Sequence, residues 1–181
     1  MRTIKSMEDK YLLPALELVE TVFTEHENAD EGRLVRTLVE EIRRSGNYIP
    51  ALEFVTVDEQ DEVIGYCMFS AFHLEGRYRG ELLLLSPVAV KTALQRQHIS
   101  KHMIEHGFGK AAEMGYRAVI VEGNPRNYNS RGFVTSCDHG VTAGPGMHLP
   151  APECLMIRAL IPDGLVGLHG QVCYDEYECL R

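Results

Sequence analysis

Apolar side chains recur at spacings of three and four in two stretches near the start of the chain. Leu12, Leu16, Val19, Val22 and Phe23 make the first set; Leu34, Val35, Leu38, Val39 and Ile42 make the second. That period lines one face of an α-helix with residues bound for a core. Met7-Glu8-Asp9 leads into the first helix, and Pro14 is expected in its first turn, where a missing N–H costs nothing. The polar run from Glu25 to Glu31 reads as a connector. Arg43 and Arg44 before Ser45-Gly46 close the second helix, because cations suit a helix C-terminus and glycine suits the residue beyond it. Arg2 to Ser6 is a candidate short strand ahead of both.

From Ala51 the pattern turns to alternating and β-branched residues. Leu52 to Val57 and Val63 to Ser70 flank the polar turn Asp58 to Glu62 and predict an antiparallel hairpin. Gly76 to Gly80 is another turn, and Glu81 to Val90 a strand interrupted by Ser86-Pro87. Leu94 to Met114 predicts the clearest helix, with Ile99, Met103, Ile104, Gly107, Phe108, Ala111 and Met114 on one face. Gly115 stops it, and Arg117 to Glu122 is a buried-type strand bounded by Gly123-Asn124-Pro125. Asp138 to Pro152 is irregular, Cys154 to Ile161 is a further strand, and Gln171 to Tyr174 is one more candidate. The strand–helix–strand unit from Glu81 to Glu122 predicts a parallel crossover, while hairpins join most other strands. The expected fold is therefore α+β, a mixed sheet with helices on both faces.

Composition narrows the classes. With 181 residues and 45% hydrophobic content, one soluble domain over 1–181 is expected. No stretch approaches the ~20 apolar residues that span a bilayer, and Met1-Arg2-Thr3-Ile4-Lys5 has no apolar segment after it, so no membrane role and a cytoplasmic location are expected. The five cysteines are widely spaced with no Cys-x-x-Cys pair, against a disulfide scaffold or zinc ribbon. A formal charge of -8 disfavours nucleic acid and is compatible with a cationic or amine substrate.

Chemistry concentrates in Leu85-Ser86-Pro87-Val88-Ala89-Val90 and Gln95-Arg96-Gln97-His98-Ile99-Ser100. A strand broken by Pro87 leaves backbone groups near Val88 and Val90 in want of partners, which an extended ligand with amides can supply. The helix start that follows offers free N–H groups and a positive dipole end to a pyrophosphate, with Arg96 adding charge. These two runs resemble the acetyl-CoA-binding strand and loop of the GNAT superfamily of N-acetyltransferases. Asn124 and Tyr128-Asn129-Ser130-Arg131-Gly132-Phe133 resemble the family's Asn before a Tyr-x-x-x-Gly-Phe signature. Gly123-Asn124-Pro125 and Gly170-Gln171-Val172-Cys173-Tyr174 are similar to a bacterial predicted-acetyltransferase subgroup.

The resemblance implies a GNAT fold splayed at a parallel strand pair, acetyl-CoA as cosubstrate, and transfer of its acetyl group to a small-molecule or protein amine. It implies that Val88, Ala89 and Val90 hold the pantetheine arm and acetyl carbonyl. Gln95, Arg96, Gln97, His98, Ile99, Ser100 and Lys101 would cradle the pyrophosphate, and Asn124 would touch the cofactor arm. Tyr128 would lie by the sulfur as general acid. The resemblance leaves the general base open between a carboxylate and a water chain, and Glu122, at the end of its strand, is the first choice. The family prefers glycine where this chain has His98, and glycine or alanine where it has Ser100. His98 therefore either points outward or crowds the pyrophosphate, and in the second case the chain would be a non-catalytic acyl-CoA-binding module. His98, His102 and His106 share a helix side, but no third metal ligand is anchored by spacing, so no metal is expected. Pairing of two copies through the late strands is a further expectation.

Overall fold

The two amphipathic stretches fold as α1 (Asp9–His26) and α2 (Ala29–Arg44) in the computed structural model, which describes Met1 to Arg181. The connector is shorter than the polar run suggested. Glu25 and His26 are the exposed last turn of α1, and Asn28 caps α2 by accepting from the Glu31 N–H at 3.0 Å. Asp30 and Glu31 in the first turn and Arg43 and Arg44 in the last complement the helix dipole. Pro14 lies inside α1 rather than in its first turn, because helix formation already begins at Asp9. Its ring is exposed, and burial of Tyr11, Ala15, Leu16 and Val19 elsewhere on the helix offsets the hydrogen bond it forgoes.

Strand β1 (Thr3–Ser6) pairs antiparallel with β2 (Glu53–Val57), and β2 pairs antiparallel with β3 (Val63–Leu74). The next turn is only Glu75-Gly76, so β4 (Arg77–Val90) is longer than predicted. Tyr78 and Gly80 take φ of 62° and 78°, so the strand begins with the left-handed residues of the predicted turn. Helix α3 (Ile99–Glu113) follows, then β5 (Ala118–Glu122), α4 (Pro125–Tyr128), β6 (Val134–Thr135), β7 (Val141–Ala143), β8 (Leu155–Ala159) and β9 (Gly170–Val172). Seven strands hydrogen-bond in the order β1-β2-β3-β4-β5-β8-β6, with β4 and β5 a parallel pair in an otherwise largely antiparallel sheet.

Contacts divide the chain into two compact units. The first comprises Met1–Ser70, Ser86–Gly107 and Glu176–Arg181. Its core joins Val19 and Leu16 of α1, Val39 and Ile42 of α2, and Val55, Tyr66 and Met68 of the sheet. Glu53 is wholly buried within this unit. Arg43 and Tyr48 both bond its Oε2, and the Tyr66 hydroxyl donates to Oε1 at 2.7 Å, so the charge has partners at each oxygen.

The second unit comprises Ala71–Leu85 and Phe108–Asp175. Its core sets Leu82 and Leu84 against Ala118, Ile120, Leu155 and Ile157. The segment 138–152, expected to be irregular, contains β7, which pairs in parallel with β9 as a separate two-stranded sheet. Met114, expected on the buried helix face, is 48% exposed because α3 ends at Glu113 and Gly115 turns away with φ 89°.

Candidate active site

In the first unit the decisive geometry is the end of β4. Its parallel ladder with β5 spans Leu82–Leu84 and goes no further, while β4 itself runs on through buried Pro87 to Val90. The Lys91 N–H donates to the Ile64 carbonyl of β3 at 3.0 Å. Because N–H direction alternates along a strand, the N–H groups of Val88 and Val90 point away from β3. The Val90 carbonyl on that edge accepts from Gln95 Nε2 at 3.1 Å, and the same nitrogen lies 2.9 Å from His26 Nε2. Gln95 thus ties the loop to β4 and α1 through its side chain.

The loop then takes two left-handed residues, Arg96 at φ 62° and His98 at φ 64°. Helical bonding starts with His102 N–H to the His98 carbonyl at 3.0 Å, so the N–H groups of Ile99 and Lys101 precede the first intrahelical bond. Ile99 is buried, whereas Arg96, His98 and Lys101 are exposed. Gln97 accepts from the Arg2 guanidinium, and Lys101 lies 3.8 Å from Glu105. This sequence of donors suits an extended amide-bearing arm ending in a pyrophosphate, with Ile99 contributing backbone alone.

In the second unit β5 ends at Glu122, whose carboxylate is exposed and accepts from the Tyr174 hydroxyl at 2.9 Å. Asn124 Oδ1 accepts from the Arg126 N–H at 3.0 Å and so caps α4. Tyr128 closes that helix, half-buried, its ring edge-on to Phe133 at 5.6 Å. The ring lies over Gly123, where an added Cβ would meet Tyr128 Cε2 at 2.7 Å. Glycine before Asn124 is what admits the tyrosine ring here. Glu122, Asn124 and Tyr128 are thereby gathered at one strand end.

The sequence model of the Acetyltransferase (GNAT) family matches residues 16–138. The chain belongs to the GNAT family. It is 28% identical over 141 residues to the uncharacterized N-acetyltransferase YhbS of Escherichia coli K12, covering 77% of this chain and 80% of that protein. The crystal structure of E. coli YhbS in complex with CoA matches with a TM-score of 0.80 at 24% identity, over 94% of this chain and 87% of that one. A GNAT acetyltransferase from Brucella melitensis in complex with acetyl-CoA matches with a TM-score of 0.74 at 21% identity, over 100% and 99% of the two chains. The α+β GNAT fold expected from the sequence is the fold observed.

Two features of this GNAT chain escaped sequence reasoning. Tyr174 is bonded to Glu122 across 52 positions of sequence, and no local spacing could announce it. Gln95 spends its side chain on holding the loop, and Gln97 on Arg2, although both were expected only as pyrophosphate contacts. The histidine row is exposed, as expected of the polar side of α3, with the His106 ring edge-on to Phe54 at 4.9 Å. No helix is long and apolar enough to cross a membrane.

Proposed function

We propose that this chain transfers the acetyl group of acetyl-CoA to a primary amine by direct attack of the neutral amine on the thioester. The carrying observation is the run of donors from Val88 and Val90 through the left-handed loop into the first turn of α3, in a member of the GNAT family. The relatives crystallised with CoA and acetyl-CoA support the same reading. Val88, Ala89 and Val90 hold the pantetheine arm through their backbones, and the Val90 N–H stabilises the charge that builds on the thioester oxygen. Backbone donors from Gln95 to Lys101, helped by the Arg96 charge, hold the pyrophosphate, and Asn124 contacts the arm. Exposure of the His98 side chain favours the outward alternative over crowding.

As the N–C bond forms and the C–S bond breaks, Glu122 takes the amine proton and Tyr128 gives its proton to the departing sulfur. The acceptor is a small-molecule or protein amine. We assign the activity to one domain over 1–181 acting in the cytoplasm. The test pairs calorimetry with steady-state kinetics on the best amine from a screen. Acetyl-CoA should bind with micromolar affinity, about -8 kcal/mol. Tyr128→Phe keeps the ring and removes the proton, so kcat should fall ~10²-fold, about 2.7 kcal/mol, with binding intact. No binding at millimolar acetyl-CoA sinks the reading, and wild-type kcat in the phenylalanine variant makes Tyr128 a packing residue.

A further inference from the structure

Two independently anchored elements of the second unit meet at one hydrogen bond. Glu122 is the last residue of β5, held in register opposite Leu155 of β8. Tyr174 follows β9, whose Val172 pairs with Ala143 of β7. The Gly144 N–H donates to the Val172 carbonyl at 2.9 Å, and a Cβ on Gly144 would meet Cys173 Sγ at 2.5 Å. The chain just before Tyr174 is therefore closely clamped. The Tyr174 ring is half-buried against Phe72, with centroids 6.2 Å apart, and its hydroxyl donates to Glu122 Oε2 at 2.9 Å.

We propose that Tyr174 is a positioning residue for acetyl transfer: its hydroxyl holds Glu122 Oε2 and leaves Oε1 to take the acceptor amine's proton. An exposed glutamate at a strand end otherwise samples several rotamers, and a base that must be reoriented in each turnover is a slow one. Burial and the Glu122 charge push the Tyr174 phenol well above its ordinary range, so it remains a donor while Glu122 works. Its proton does not move in the reaction. The amine proton goes to Glu122, the new bond is N–C, and the broken bond is C–S.

This inference rests on Glu122 serving as the base. The test is steady-state kinetics at saturating acetyl-CoA on Tyr174→Phe, Glu122→Gln and the double variant, with melting temperatures alongside. Tyr174→Phe preserves the ring against Phe72, so kcat should fall ~10-fold while the KM for acetyl-CoA stays within about twofold. Glu122→Gln should fall ~10²-fold, and the double variant should be no slower than Glu122→Gln, since the hydroxyl acts only through the carboxylate. A slow Glu122→Gln beside a Tyr174→Phe of wild-type kcat overturns the inference alone. So does an equal loss from Tyr174→Phe in both backgrounds. Wild-type kcat in Glu122→Gln overturns the base assignment and this inference with it.

Discussion

At His98 the backbone takes φ 64°, a region where a Cβ crowds the following carbonyl and which glycine enters without that penalty. Arg96, two residues earlier, takes φ 62°, so two side-chain-bearing residues turn the same loop. The family's preference for glycine at position 98 thus has a conformational reason besides close approach to a phosphate. Histidine is among the residues that tolerate the left-handed region better than most. His98 also stands just before α3, where a glycine carries no helix-interior cost. His98→Gly should therefore stabilise the protein by about 1 kcal/mol, raising Tm by about 2–4 °C at this chain length. Differential scanning calorimetry checks this. A fall in Tm would mean that the imidazole makes a stabilising contact outweighing the backbone gain.

At the scale of elements, α3 is placed by the absence of side chains as much as by their presence. A Cβ on Gly107 would meet Phe69 Cε2 at 2.1 Å and Cζ at 2.6 Å, so helix and strand approach to a distance only glycine allows. Gly107→Ala gains up to ~1 kcal/mol of helix propensity, but it must displace a fully buried ring, at a cost of about 1–3 kcal/mol. The ring should decide the sign, and the urea midpoint should fall with the m-value unchanged. The same helix shows what its sequence could announce. Its apolar period identified the buried face from Ile99 to Ala111, yet its start was placed at Leu94. Periodicity does not register that Arg96 and His98 are left-handed, and that conformation forces the helix to begin at Ile99. Strand β7 was illegible for another reason. It has three residues, and its parallel partner β9 comes almost thirty positions later, so no hairpin signal exists. The loop proposed to hold the pyrophosphate can be read from the sequence because it is contiguous; the Tyr174–Glu122 pair cannot, because only the fold brings it together.

For the molecule as a whole, three of the four crossings between the two units fall inside regular elements, and the fourth, after Asp175, lies in a turn. The chain leaves the first unit within β3, after Ser70, and again within α3, after Gly107; it re-enters that unit within β4, after Leu85. A boundary inside a continuous strand or helix cannot be relaxed by unfolding a loop, because melting one half strips hydrogen-bond partners from the other. Domains that unfold separately are instead joined by exposed segments that few contacts cross. The expected behaviour is one cooperative transition, in keeping with the single-domain assignment proposed above. At ~0.7 kcal/mol per residue, 181 residues give an unfolding enthalpy of about 130 kcal/mol near 60 °C. If both units melt together, the van't Hoff enthalpy from the sharpness of the transition should equal the calorimetric value. Independent units would give a van't Hoff enthalpy of roughly half that, or two resolved peaks. Scanning calorimetry with far-UV circular dichroism through the same range separates these outcomes, and a ratio near one half would show that the continuous strands do not enforce cooperativity.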